Sequence, residues 1–166
     1  NKKLVYKNRL VAMKNLQLDK KKLILIKQTH SSKVISINKN NLNKIIEADG
    51  MITSLNNIVL GILTADCAPV FIYDDKNKFV FCLHSGWKGT LNNISKNAIN
   101  LFFKNNIEID NLTAIIGPCL GTNNYEVDKN FEKKFIIKNI NYSKFFKNKN
   151  NSKSFFNLRG IIKYQL

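Results

Sequence analysis

Apolar residues in this chain gather into short runs set between lysine- and asparagine-rich stretches. Runs of three to six residues with β-branched and aromatic content predict strands. They fall at Leu23–Ile26, Lys33–Ile37, Ile58–Leu63, Val70–Tyr73, Phe79–Leu83 and Ala114–Ile116. One stretch follows the helical period instead: Leu91, Ile94, Ala98, Leu101 and Phe102 share a face of a helix predicted from Thr90 to Lys104, with Thr90 as its N-cap. Strands mixed with helices in 166 residues predict a single α+β domain, a mixed β-sheet flanked by helices. Lys147 to Asn151 reads as surface loop.

The polar tip Asp74-Asp75-Lys76-Asn77 lies between two of these strands and predicts a hairpin. A turn centred between Asp75 and Lys76 places Cys67 directly across from His84, on the same face of the sheet. A histidine and a cysteine so placed can share one zinc ion, with Zn–S about 2.3 Å and Zn–N about 2.0–2.1 Å. His30 stands at the end of the Leu23 strand and is the only other histidine. Two imidazoles and one thiolate leave a fourth position open, the pattern of a catalytic zinc. Taken singly, Cys67 also reads as a small core residue, and each histidine as a hydrogen-bonding loop residue. Cys82 lies two residues before His84, on the same face; core packing is the expected role and ligation the alternative. Cys119, in Gly117-Pro118-Cys119, is expected to pack structurally or to line the pocket. The segment Ser85-Gly86-Trp87-Lys88-Gly89-Thr90 leads into the predicted helix and reads as an anion site.

The net charge of +16 raises nucleic acid as a partner. Only Arg9 and Arg159 among the 27 basic residues are arginine, the preferred fork for phosphates and base edges, so a solvated basic surface is expected and no specific nucleic acid. Three cysteines suit a reducing compartment better than a disulfide framework. No apolar run reaches the ~18 residues of a membrane span. The first residues, Asn1-Lys2-Lys3-Leu4-Val5-Tyr6, lack the apolar stretch of an export signal. A cytoplasmic enzyme without a membrane partner, monomeric or a small homo-oligomer, is the expectation.

Five blocks then carry a resemblance. Gln28-Thr29-His30-Ser31, Ala48-Asp49-Gly50, Thr64-Ala65-Asp66-Cys67-Ala68-Pro69, His84-Ser85-Gly86-Trp87-Lys88-Gly89-Thr90 and Ile116-Gly117-Pro118-Cys119-Leu120-Gly121 occur in that order, followed by Tyr125-Glu126-Val127. The chain resembles the YfiH/DUF152 family, long labelled multicopper polyphenol oxidase or laccase domain and now regarded as purine nucleoside phosphorylases with adenosine deaminase activity. The resemblance implies zinc held by His30, Cys67 and His84, which would also be the catalytic residues. It implies the α+β fold shared with a cysteine–histidine toxin deamidase. It implies adenosine, inosine, guanosine and methylthioadenosine as substrates, together with phosphate. Lys88, Arg9, Gln28 and Trp87 are the expected substrate- or phosphate-binding residues. The Arg-Gly-Gly block and the arginine-rich ending of the family are absent, so a domain truncated at both ends is expected. Two other chemistries compete. A copper phenol oxidase needs more imidazoles than two histidines provide. A metal-free cysteine hydrolase would use Cys67 as nucleophile and His84 as base.

Overall fold

The computed structural model describes residues 1–74, 76 and 79–166. The chain runs α1 (Lys2–Asn15), β1 (Lys22–Leu25), β2 (Val34–Ser36), β3 (Gly50–Thr53), β4 (Ile58–Gly61), β5 (Ala68–Asp74), β6 (Phe79–Ser85), α2 (Trp87–Leu91), α3 (Ile94–Lys104), β7 (Leu112–Ile116), β8 (Glu126–Asp128), α4 (Lys129–Lys138), β9 (Phe146–Asn148), β10 (Lys153–Phe156) and α5 (Leu158–Gln165). It is an α+β fold. The largest sheet has the order β2-β3-β6-β5-β7. β2 and β3 are parallel and the remaining pairs antiparallel, so the sheet is mixed. β1 and β4 form a parallel pair, and β8-β10-β9 an antiparallel ribbon.

Period-two alternation in β5 decides what the sheet buries. Ala68, Val70 and Ile72 point inward and are buried, while Phe71 points outward and is exposed. The inner face packs against α3 through Ile94, Ala98 and Phe102, with the Phe102 ring edge-on to Phe81 at 4.3 Å. Leu158, Ile161 and Ile162 of α5 close the same core. Phe131, Phe135, Phe146 and Phe156 extend it beneath the ribbon.

The predicted strands are present with shifted ends, and three expectations change. First, the helix predicted from Thr90 to Lys104 is two helices. Asn93 adopts a left-handed φ of 62° between them, a conformation asparagine tolerates better than most residues. Thr90 is therefore no N-cap: it is buried inside α2, its hydroxyl 2.9 Å from that of Ser85. Second, the β5–β6 ladder pairs Pro69 with His84, and Ala68 with Ser85. The hairpin register is thus two residues away from a turn centred between Asp75 and Lys76, and Cys67 lies past the strand end. Residues 75 and 77 of the predicted tip lie outside the described residues. A two-residue shift preserves the face, so the site survives it. Third, Lys147 and Asn148 of the predicted loop belong to β9.

The ribbon is tied to α4 by a small polar cluster. Glu132 Oε2 accepts hydrogen bonds from Ser154 Oγ at 2.6 Å and from Lys129 Nζ at 3.0 Å. Burial pushes the Glu132 carboxyl up, but Ser154 and Lys129 outweigh it and hold the group below its ordinary 4.5. A depressed folded pKa gives stability present above the unfolded value and lost as pH falls through the folded one. Glu132→Gln is therefore expected to lower unfolding free energy at pH 7 by about 1–2 kcal/mol, discounted for partial exposure. The deficit shrinks progressively below pH 4.5, which urea melts at both pH values would measure.

Candidate metal centre

Three segments meet at one end of the central strands of the large sheet. β6 brings His84, its last residue but one, the turn before β5 brings Cys67, and the loop after β1 brings His30. One ligand-type atom from each of these residues lies within 4.8 Å of the other two. The His30 and His84 rings meet edge-on at 4.8 Å. His84 is buried, Cys67 half-buried and His30 exposed, so the cluster opens to solvent on the His30 side.

Asp49, in the turn before β3, organises the cluster. Its side chain is fully buried. Oδ1 accepts from His84 Nδ1 at 2.8 Å and from the His30 backbone N–H at 3.0 Å. Oδ2 accepts from the Ser31 N–H and hydroxyl, both at 2.6 Å, and from the Thr29 N–H at 3.2 Å. The Asp49 carbonyl also accepts from the His84 N–H at 2.7 Å. Burial alone would push the Asp49 carboxyl up; the hydrogen bonds from His84, Ser31 and Thr29 outweigh it and hold the group ionised below its ordinary range. An ionised acceptor at Nδ1 fixes the His84 proton there and leaves Nε2 with its lone pair. This is the usual arrangement behind a metal-binding imidazole.

Cys67 is held differently. Asp66 adopts a left-handed φ of 74° and His30 one of 58°. Such conformations in non-glycine residues mark positions the surrounding structure constrains. Gly86 leaves the space the thiol fills: a Cβ there would sit 2.6 Å from Cys67 Sγ and 3.4 Å from His30 Cδ2. Burial, then Asp66, Asp49 and Cys119, push the Cys67 thiol up. That is the reverse of the environment that activates a free cysteine nucleophile, and a bound cation would offset it. The donor set of two imidazoles and one thiolate, with Asp49 behind His84, fits zinc.

The remaining expected site residues are placed variously. Trp87 follows the cluster directly, with the Lys88 ammonium 5.6 Å from its ring centroid and that of Lys134 at 5.7 Å. Gln28 spends its amide on the backbone of Leu63, donating and accepting at 2.7 Å, so it clamps two loops rather than reaching outward. Arg9 is on α1, in a groove with Tyr6, Met13, Leu23 and Leu25 that contains none of the three ligand-type residues. The helix that the Ser85–Thr90 turn enters is α2 rather than one running to Lys104. α2 has five residues, and so short a helix sums few peptide dipoles. Cys82 is buried in mid-strand with its thiol pushed up to about 12 by burial, and it stays a core residue.

Two residues gain roles that pattern reading did not give them. Asp49 is one; its signals are its place in the Ala48-Asp49-Gly50 block and a lone acid just before Gly50–Thr53. Tyr125 is the other: burial, with Cys67 and Asp66 nearby, pushes its hydroxyl up to about 12.

The whole chain, residues 1–166, matches the model of the multi-copper polyphenol oxidoreductase laccase family. The chain belongs to this family. A purine nucleoside phosphorylase of Rickettsia prowazekii is 36% identical over 126 residues, covering 76% of this chain and 51% of the relative. Another so named, from Staphylococcus saprophyticus, is 32% identical over 117 residues, covering 65% of this chain and 43% of the relative. The chain spans about half the length of the curated relatives it matches. The fold matches the crystal structure of the Bacillus licheniformis hypothetical protein YfiH with a TM-score of 0.90 and 24% identity, over 99% of this chain and 66% of that one. It also matches Neisseria meningitidis protein NMB0706 of the DUF152 family, with a TM-score of 0.88 and 21% identity over 99% of this chain and 65% of that one. These two structures share the fold on which His30, Cys67 and His84 converge in this chain. Among the described residues, no helix is long and apolar enough to cross a membrane.

Proposed function

We propose that this chain carries the zinc centre of a purine nucleoside phosphorylase that also deaminates adenosine, with adenosine, inosine, guanosine and methylthioadenosine as substrates. One observation carries the reading: the ligand-type atoms of His30, Cys67 and His84 converge within 4.8 Å, with Asp49 fixing the His84 tautomer. The names of the relatives support the substrate class.

His30, Cys67 and His84 would hold the ion, whose contribution when bound is Lewis-acid chemistry and a lowered pKa for water. Asp49 keeps the proton on His84 Nδ1. Tyr125, near Cys67, and Trp87 are the aromatic residues proposed to stack on the purine. Lys88 and Arg9 are the cations proposed for phosphate, and Gln28 positions the His30 loop through Leu63. In phosphorolysis a phosphate oxygen bonds to the ribose carbon as the purine leaves, giving ribose 1-phosphate. In deamination water replaces the exocyclic amine and ammonia leaves.

The test is incubation of the protein with adenosine and phosphate, with separation of adenine, inosine and hypoxanthine. Adenine and inosine are expected, and both disappear when a chelator strips the metal and return when zinc is restored. Full activity after stripping would instead favour the cysteine hydrolase, and several coppers bound per chain would favour the oxidase.

A further inference from the structure

Cys119 is not among the three ligand-type residues, yet the sheet brings it to Cys67. β5 and β7 are antiparallel, with Val70 opposite Ile116. Two hydrogen bonds hold the segments together past both strand ends. The Gly117 N–H donates to the Pro69 carbonyl at 2.8 Å, and the Leu120 N–H to the Asp66 carbonyl at 2.9 Å. Cys67 and Cys119 lie between those two bonds, one on each segment. The segments are packed closely there: a Cβ on Gly117 would lie 2.8 Å from the Pro69 ring. The two thiols also sense each other, since Cys119 is among the groups that push the Cys67 thiol up. A disulfide needs Cβ atoms about 3.5–4.5 Å apart, and the bonds on either side keep the two backbones next to each other for that closure. Both cysteines are free and half-buried. Cys119 also lines an open depression of about 440 Å³ with Asp66, Pro118 and Asn124, which gives a small oxidant access.

We propose that Cys67 and Cys119 are a disulfide-forming pair, a modification site at which a peroxide oxidises the centre through its own thiol ligand. The Cys119 sulfur attacks one peroxide oxygen and breaks the O–O bond, giving a sulfenic acid and one water. The Cys67 sulfur then displaces the hydroxyl from Cys119, forming the S–S bond and releasing a second water. Two thiols lose two electrons and two protons, and the peroxide becomes two waters. The disulfide leaves only His30 and His84 as donors. Loss of zinc on oxidation rests on the zinc reading above; the pairing itself does not.

The experiment therefore has two arms. The metal-free chain is treated with a small excess of hydrogen peroxide, digested without reductant and weighed by mass spectrometry. The peptides carrying Cys67 and Cys119 are expected joined, two hydrogens lighter than their sum, in most molecules. Dithiothreitol separates them, C119S never forms the link, and the buried Cys82 stays unmodified as the internal control. In the second arm the zinc-loaded chain releases its ion to a chelating dye on oxidation and rebinds it after reduction, whereas C119S shows no reductant-reversible release. Oxidation of Cys67 to a sulfinic acid without the link, or its pairing with a different partner, would overturn the proposal. A link that forms in a chain shown to bind no zinc would leave the pairing standing and remove the zinc reading instead.

Discussion

Asp49→Ala is expected to cost about 3–5 kcal/mol of stability and about 10–100-fold in zinc affinity. The carboxylate serves His84 Nδ1, the His30 N–H, the Ser31 N–H and hydroxyl, and the Thr29 N–H from one fully buried position. Removing it leaves several donors without a partner, at about 1–3 kcal/mol for each that stays dry. Breaking a buried charged pair by deleting one partner has a similar total. The affinity loss follows from the freed His84 imidazole, which no longer has its tautomer or orientation fixed. Asp49→Asn separates the two effects. It keeps the volume and part of the hydrogen bonding, so stability should fall less, while the neutral amide no longer favours a proton on Nδ1. Urea unfolding of the metal-free chain and competition with a chelating dye measure both quantities. An Asp49→Ala chain within about 1 kcal/mol of the parent and unchanged in zinc affinity would show that the hub does not organise the site.

Gly86→Ala should do the opposite: leave the fold almost intact and impair the centre. The Gly86 backbone has φ of −80° and ψ of 175°, which any residue adopts without strain. Alanine there costs nothing in the backbone. Its Cβ, however, would lie 2.6 Å from Cys67 Sγ. The thiol is the end of a short side chain and can rotate away cheaply, so stability is expected to change by less than about 1 kcal/mol. Rotation carries the sulfur off its convergence with His30 and His84. Zinc affinity is then expected to fall by more than about tenfold, approaching that of Cys67→Ala, because one ligand of three is misplaced. Thermal melts with and without zinc would read this directly, as the metal-dependent rise in Tm that the parent shows and the variant lacks. An undiminished rise would mean that the sulfur binds from elsewhere.

The pattern of residues determined much of this protein. Short apolar runs rich in β-branched and aromatic residues marked β1, β2, β4, β5, β6 and β7, because such residues suit a strand packed against a core. The scarcity of His and Cys drew His30, Cys67 and His84 together as candidates, and the ordered blocks around them pointed to the family. Local pattern failed where local preference was overruled. The helix break at Asn92–Asn93 has no proline or glycine; a left-handed asparagine made it. α1 carries Leu4, Val5, Leu10 and Val11 exposed and only Met13 buried, so no clean apolar stripe announced it. β8 and β9 are three residues each, too short for a period to register. The hairpin register also escaped, since polar residues around the tip permit more than one turn centre and only the full ladder selects Pro69 opposite His84. Above all, tertiary structure decided the roles of Asp49 and Cys119. A carboxylate that gathers donors from Thr29, His30, Ser31 and His84 does so across about 20 and 35 residues of chain. The segment carrying Cys119 comes beside that of Cys67 only because β7 pairs with β5. No local periodicity encodes such meetings: sequence fixes which side chains are available and which face they take, while strand pairing fixes which of them touch.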